Sequence, residues 1–514
     1  MLNRTYIHVL FDDVLLQIFR WYRLEEGNNW NLRYTWRTLT HICRKWRNLI
    51  YGSWSYLDMC LLLTNNSPSI DTLIHLPPLP LVIDYSDRTR TVSQKDEDNI
   101  RFGLQQHGRL RRVVLRAPYS SLRMWLEPMN NPFPRLRDLS LSSTTVEKTN
   151  PMFPETLQAP DLRRLSLHGI TLSTESPLLS STIALSKLSL TCIGASSYFP
   201  PEHLVTQLQC LPHLEELSID FAFSKSLPGI ERDRLLAPNP PMTLPALRRF
   251  IFGGEDVYLD NLVAQINTPL LEQLTLTLLF DFTYTIVNLA EFICRDEGSQ
   301  CIIAKVIFNR DTASIDVGHY EQQGIGKLSL RINCKPFDWK IDSATQVCSA
   351  LGKFLSVVEM LTIDLDVDGM PSDWENTLDS TVWHELLLPF VGVNKLRIGS
   401  SLTRELSKAL ESVSGGLVPE LLPALQEFEV QLRIDHAKTA FSGFIKTRES
   451  VGRPVRLLAP PVPLVEPETR RAAPSRRSLT STVKQVLADH PKYVAQFQLI
   501  GCTPSQLSID LEFS

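Results

Sequence analysis

The chain has 514 residues, of which 43% are hydrophobic and 21% charged, and its formal net charge is -4. This length and apolar content allow a large buried core, and the absence of a one-sign basic field argues against general nucleic-acid binding. The apolar run near the N-terminus is too short for a signal peptide, and the most apolar later stretch, residues 274–293, contains Asp281 and Glu291, so we expect no secretion signal and no membrane span. Nine cysteines without a Cys-x-x-Cys pair indicate reduced thiols, so a cytoplasmic or nuclear protein is expected.

Two amphipathic helices are predicted near the N-terminus. Apolar residues recur at helical spacing from Leu10 to Tyr22, with Asp12 placed to cap the helix, and a second helix is predicted from about Thr35 to Ile50. Tryptophan is concentrated in this segment, and large aromatic side chains often anchor interfaces. Because short helices bury little surface alone, we expect the segment to need a partner.

Two phrases in these helices carry a specific resemblance. Residues 10–19 read LFDDVLLQIF and residues 39–47 read LTHICRKWR. Fungal F-box proteins commonly read Leu-Pro-x-(Asp/Glu)-(Ile/Val/Leu)-Leu-x-x-Ile-Phe and later Val-Cys-(Arg/Lys)-x-Trp, so the first 60 or so residues resemble an F-box. One departure is Phe11, which stands where the family usually has proline.

The resemblance implies a partner and a role. An F-box docks on a Skp-family adaptor, which joins it to a cullin scaffold and a RING subunit in an SCF ubiquitin ligase, while the rest of the chain selects a protein target. By this resemblance, the F-box core or its adaptor-binding face comprises Leu10, Val14, Leu15, Ile18, Phe19, Ile42, Cys43 and Trp46. The sequence leaves open which of these residues pack internally and which contact the adaptor.

Two strands and a helix are predicted next. Apolar runs predict strands at Tyr56 to Leu63 and at Leu79 to Ser86, and helical spacing predicts a helix from Asp96 to His107.

From Leu110 onward one phrase, apolar-x-x-apolar-x-apolar, recurs at intervals between 22 and 35 residues. It starts at Leu110, Leu136, Leu162, Leu185, Leu214, Leu247, Leu271, Ile303, Ile325, Val358, Val393 and Leu425. Six of these starts follow a proline by two residues, where a fixed φ ends a helix and leads into a strand. Such repetition is typical of an α/β leucine-rich-repeat solenoid, with a parallel sheet on the concave face and helices and loops on the convex face. The alternative is an irregular α/β domain.

The residues between the buried leucines are predicted to face outward, because side chains alternate along a strand. Charge changes sign along this predicted row, and a mixed-charge surface favours a protein or peptide target over nucleic acid. The candidate target-binding residues, chosen from this geometry, are Ser166, His168, Ser218, Asp220, Thr275 and Thr277.

One metal-binding pattern competes with the repeat. Residues 364–375 satisfy the spacing of an EF-hand calcium loop, with Asp364, Asp366, Asp368, Gly369 and Glu375. An EF-hand requires a preceding helix, whereas the apolar residues before Asp364 fit a repeat strand, so an acidic strand end and turn is favoured and no metal is expected.

Four domains are predicted: an F-box-like segment at 1–60, the repeats at 61–459, a Pro- and Arg-rich linker at 460–480, and a helical tail or cap at 481–514. A short helix at Ala440 to Glu449 and a final strand at Pro454 to Leu458 close the repeats.

No enzyme signature is present: the chain lacks a phosphate-binding Gly-rich loop, a Gly-x-Ser-x-Gly elbow and a His-Glu-x-x-His pair. We therefore predict neither catalytic residues nor a cofactor. The favoured function is substrate recognition in an SCF-type ligase, and the alternative is an interaction scaffold with a divergent F-box.

Overall fold

The structure is a computed structural model. It describes residues 10–25, 35–65, 67, 70, 78–87, 92–145, 151–173, 176–193, 199–221, 241–279, 286–295, 302–319, 327–334, 337–366, 380–411, 421–431 and 434–458. The described residues fall into two compact units, one up to Val113 and one from Val114 onward, and the division lies within one strand. The linker and tail predicted at 460–514 lie outside the described residues.

Alternating strands and helices make up most of the described chain. The helices are α1 (Asp12–Glu25), α2 (Thr35–Ile42), α3 (Arg44–Gly52), α4 (Gln94–Gln105), α5 (Tyr119–Leu126), α6 (Pro177–Ser181), α7 (Pro201–Leu208), α8 (Asp256–Ala264), α9 (Val287–Cys294), α10 (Phe337–Ala350), α11 (Gly352–Leu355), α12 (Ser380–Leu387), α13 (Thr403–Glu411), α14 (Ile434–Ala440) and α15 (Ser442–Ser450).

The strands are β1 (Leu61–Leu63), β2 (Leu81–Tyr85), β3 (Leu110–Ala117), β4 (Asp138–Ser143), β5 (Arg164–His168), β6 (Lys187–Ile193), β7 (Glu216–Phe221), β8 (Met242–Thr243), β9 (Arg249–Gly254), β10 (Ile266–Asn267), β11 (Gln273–Leu279), β12 (Ile303–Phe308), β13 (Thr312–Gly318), β14 (Leu328–Asn333), β15 (Met360–Leu365), β16 (Lys395–Ile398), β17 (Glu427–Val430) and β18 (Arg456–Leu458).

Sixteen of these strands form one mostly parallel sheet, which confirms the predicted α/β class. Its order is β1-β2-β3-β4-β5-β6-β7-β9-β11-β14-β13-β12-β15-β16-β17-β18. Burial alternates along most strands, as in β4, where Leu139 and Leu141 are buried and the intervening residues are not. Helices from successive connections contact one another, as α7 does α8, α8 does α9 and α12 does α13.

A repeated turn leads into the strands. Just before β4, the amide of Leu136 donates to the carbonyl of Phe133 at 3.2 Å, which places Pro134 second in a four-residue turn. Proline suits this position because its φ is already near the required value. The same backbone bond is made at Leu162, Leu214, Leu247, Leu271 and Leu425, each two residues after a proline, and at Leu185, Val358 and Val393, which lack the proline. Each predicted repeat start that the structure describes lies at or just before a strand, and Ile325 lies outside the described residues.

One part of the sheet departs from the expected parallel order. β13 pairs antiparallel with both β12 and β14, and β14 then pairs with β11. The expectation of a purely parallel sheet was therefore wrong here. A short turn at residues 309–311 joins β12 to β13, and a two-strand hairpin reverses direction without needing a crossover helix.

The N-terminal helices also differ from prediction. The helix expected from Thr35 to Ile50 is broken at Cys43, whose extended backbone (φ -156°, ψ 167°) caps α3 by accepting the Trp46 amide on its Sγ at 3.5 Å. The strand expected from Tyr56 is shorter, because Asp58 takes a positive φ of 47° and only Leu61–Leu63 are extended. The other early elements, β2 and α4, lie where they were predicted.

The EF-hand alternative lacks its geometry in the described residues. Asp364 lies within β15, so a strand precedes the acidic run where a calcium loop needs a helix. Residues 367–375 lie outside the described residues. Among the helices that the structure describes, none is both long and apolar enough to cross a membrane.

Candidate functional site

The first candidate surface lies where α1 and α3 begin. Lys45 joins the two helix starts, because its Nζ donates to the Leu10 carbonyl at 3.0 Å and lies 3.1 Å from a carboxylate oxygen of Asp12. Phe11 directly precedes α1 and is 62% exposed, while Ile42 ends α2 just before α3 and is 37% exposed. We call Phe11, Ile42 and the half-buried Cys43 the helix-start patch.

Most of the predicted adaptor-binding or core residues are buried. The buried ones are Leu10, Val14, Leu15, Ile18, Phe19 and Trp46. Phe19 and Trp46 pack edge to face with ring centroids 4.7 Å apart, which ties α1 to α3. Of the eight predicted residues, Ile42 and Cys43 thus remain accessible to a partner, and Phe11, which the prediction treated only as a departure, joins them.

The second candidate surface is the sheet face opposite the buried leucines, which we call the polar face. Strand register aligns Ser140, Ser166, Ser189 and Ser218 on neighbouring strands and continues through Ile251 to Thr275. We call this line the serine row. All of its residues are half-buried, and it runs from β4 to β11. With strands about 4.8 Å apart, the small side chains form a shallow strip about 24 Å long.

A charged row runs beside the serine row on the same face. Arg164 donates to Asp138, Lys187 and Arg249 both pair with Glu216, and Arg249 Nε donates to the Gln273 side chain at 2.7 Å. Burial acts to raise the pKa of Glu216, but its two cationic partners outweigh burial and hold that pKa below its ordinary value. The row thus sets two carboxylates, Asp138 and Glu216, among three cations, so both signs of charge are present and one positive charge is in excess.

The remaining predicted residues lie in a third row, at the carboxyl ends of the strands. His168 shares a hydrogen bond with Thr191 at 2.9 Å, and the register between β6 and β7 then shifts at Cys192, whose φ is 52°. The Cys192 amide donates to the Asp220 carboxylate, which also lies in the field of His168. Thr277 lies on β11, two strands from Asp220 on β7, and Gly253 of β9 lies between them.

Asp220 has little room on the β9 side. A Cβ built on Gly253 would lie 2.2 Å from an Asp220 carboxylate oxygen, so the carboxylate occupies the space that a side chain there would fill. Burial, opposed by the Cys192 amide and His168, raises the pKa of Asp220 above its ordinary value. The role of Gly253 beside Asp220 was not predicted from the sequence, because β7 and β9 pair across a long intervening segment.

The chemistry of the third row does not match a nucleophilic site. Burial and the nearby Asp220 raise the pKa of the Cys192 thiol, whereas a reactive cysteine needs a lowered one. Among the described residues, no group of three His, Cys, Asp or Glu side chains is placed to hold a metal ion. The arrangement suits hydrogen bonding to a polar ligand such as a polypeptide.

The six predicted target-binding residues therefore share one face. Ser166, Ser218 and Thr275 lie in the serine row, and His168, Asp220 and Thr277 lie in the third row. No family model matches the chain, and no curated protein matches it.

Proposed function

We propose that the chain is a substrate-recognition subunit of an SCF-type ubiquitin ligase. In this proposal the helix-start patch of an F-box-like segment binds a Skp-family adaptor, and the polar face of a leucine-rich-repeat sheet binds a protein target. The observation that carries the proposal is the exposure of Phe11 and Ile42 at two helix starts held together by Lys45, within phrases that resemble an F-box. Exposed apolar side chains at adjacent sites favour a protein interface.

The polar face supports the target-binding half of the proposal. Its serine row offers hydroxyl groups with little steric bulk, so an extended segment of a partner can approach the sheet closely. The charged row beside it carries both signs of charge, with two carboxylates among three cations, which favours a partner of mixed charge over a polyanion such as nucleic acid.

The test is a pull-down of the full chain with a purified Skp-family adaptor. The double variant Phe11→Glu/Ile42→Glu is expected to weaken adaptor binding at least tenfold, since buried apolar anchors dominate interface energies. Val451→Glu is the matched control, because Val451 is 63% exposed and lies outside the helix-start patch. Undiminished binding by the double variant, with an unchanged circular dichroism spectrum, would contradict the proposal.

A scaffold that binds the adaptor without promoting ubiquitination is the second candidate. Phe11 favours it, because a bulky exposed ring stands where F-box proteins usually have proline. Reconstitution with adaptor, cullin and RING subunit separates the two: a complete, ubiquitin-transferring complex supports the ligase, and adaptor binding without such a complex supports the scaffold.

A further inference from the structure

The second unit contains a cavity of 320 Å³, which meets the charged row at Gln273. It opens beside the amino ends of β11 and β14, and α9 and α11 supply its other walls. This volume lies at the lower end of the range of about 300–1,000 Å³ typical of small-molecule sites.

The strand order explains why a cavity forms at this place. β11 pairs with β14, although α9 follows β11 in the chain and leads toward β12, which lies three strands away in the sheet. The regular alternation of strand and covering helix is therefore interrupted between β11 and β14. Contact between α9 and α11 closes the far side of the gap.

The floor of the cavity is apolar. Phe292, Ile293 and Phe354 are each less than 10% exposed, and Leu271 lies half-buried at the strand entrance. Burial raises the pKa of the Cys294 thiol, which fits low-polarity surroundings at this end of α9. An apolar ring or short hydrocarbon segment would make favourable van der Waals contacts with these walls.

Two cations border this floor. Arg295 and Lys327 both line the cavity. Arg295 is held in place by its bond from Nη1 to the Ile266 carbonyl, 3.2 Å, and by the Phe292 ring, whose centroid lies 5.9 Å away. One of its five N–H donors is used in that bond, so donors remain for an anion. The backbone of Lys327 is fixed by strand pairing, because its carbonyl accepts the Leu274 amide at 2.8 Å.

We propose that this cavity binds a small amphipathic anion, with an apolar ring or short chain against Phe292, Ile293 and Phe354 and one acidic group between Arg295 and Lys327. A carboxylate, sulfonate or phosphate group would each suit a position beside these two cations. The proposal does not depend on ligase function. The cavity adjoins the charged row, because Gln273 lines it and also accepts the bond from Arg249.

The test uses two fluorescent probes of the same shape. Anilinonaphthalene sulfonate carries apolar rings and an anionic group, and N-phenylnaphthylamine carries the rings alone. The full chain is expected to bind the sulfonate saturably at one site. Arg295→Gln and Lys327→Gln should each weaken sulfonate binding about tenfold, as expected for the loss of a charge-assisted contact, and should leave binding of the neutral probe within about twofold.

Controls keep the result interpretable. Lys446→Gln removes an exposed cation on α15 and is expected to change neither affinity. Leu271→Trp should fill the cavity and abolish binding of both probes, with folding checked by circular dichroism. Absence of saturable sulfonate binding, or sulfonate binding that both glutamine variants leave unchanged, would overturn the proposal, and so would probe binding that survives in a folded Leu271→Trp variant.

Discussion

The carboxylates of Asp220 and Asp364 each occupy space that is left open by a neighbouring glycine. A Cβ on Gly253 would lie 2.2 Å from Asp220 Oδ1, and a Cβ on Gly399 would lie 2.1 Å from Asp364 Oδ1. Asp220 and Gly253 are register partners on β7 and β9, and Asp364 of β15 lies beside Gly399, which directly follows β16, so a similar arrangement occurs twice. In both cases the glycine is required for space, since neither backbone has a positive φ.

Adding one methyl group at Gly253 tests this dependence. Gly253→Ala is expected to lower the free energy of unfolding by about 1–3 kcal/mol, because the short Asp220 side chain cannot move aside without losing its bond from Cys192. Urea denaturation measures the change. Gly352→Ala is the control, since its nearest neighbour would be Pro389 Cβ at 4.0 Å. In an Asp220→Ala background the Gly253→Ala cost should shrink, and an undiminished cost would show that another contact is responsible.

The raised pKa of Asp220 predicts a pH dependence of stability. The folded carboxyl group holds its proton at pH values where the unfolded one, near 3.8, has lost it, so the folded state binds more protons in this window. The stabilising contribution is therefore complete below the unfolded pKa and is lost as pH rises through the folded pKa. Urea unfolding between about pH 3.5 and pH 6 should show a smaller fall of stability with rising pH in Asp220→Asn than in the unaltered chain. Identical slopes would rule out this role.

At the scale of elements, Lys340 anchors the antiparallel hairpin that interrupts the parallel order. This residue of α10 is fully buried, and its Nζ donates to the carbonyls of Asn309, at 2.9 Å, and Arg310 in the turn between β12 and β13. Burial lowers the pKa of Lys340, but the carbonyl oxygens supply hydrogen-bond partners for its charge. A helix side chain thus supplies a donor to two carbonyls of this turn.

Removal of that donor should loosen the hairpin. Lys340→Met is expected to lower the free energy of unfolding by about 1–3 kcal/mol, because two part-buried turn carbonyls lose their donor. Hydrogen exchange should be faster at the amides of β12 and β13 than in the unaltered chain. Lys446→Met, on the exposed side of α15, is the control, and equal exchange in the Lys340 variant would contradict the anchoring role.

At the scale of the whole molecule, the proposed function separates adaptor binding from target binding. The double variant Ser189→Arg/Ser218→Arg places two bulky cations in the serine row and is expected to keep adaptor binding within about twofold while abolishing target ubiquitination. Quantitative profiling of ubiquitinated proteins in cells expressing each variant measures this loss. Ser442→Arg/Ser450→Arg, with the same change on α15, is the matched control. If the serine-row variant leaves the profile of ubiquitinated proteins unchanged, the polar face does not recognise the target.

Much of the architecture follows from local sequence. The apolar alternation places the strands, and the prolines mark the turns before them, because side-chain alternation and a fixed φ are properties of a few neighbouring residues. The same alternation correctly assigned Ser166, Ser218 and Thr275 to the face opposite the buried leucines. These features needed no knowledge of which strands pair.

Other features were decided only by tertiary structure. The pairing of β14 with β11, the contact of Gly253 with Asp220 and the cavity beside β11 and β14 all depend on pairing between segments far apart in the chain. The contact between Phe19 of α1 and Trp46 of α3 likewise joins residues of separate helices, which local spacing does not place together. Periodicity records which face of each element is buried, and long-range pairing decides what that face is buried against.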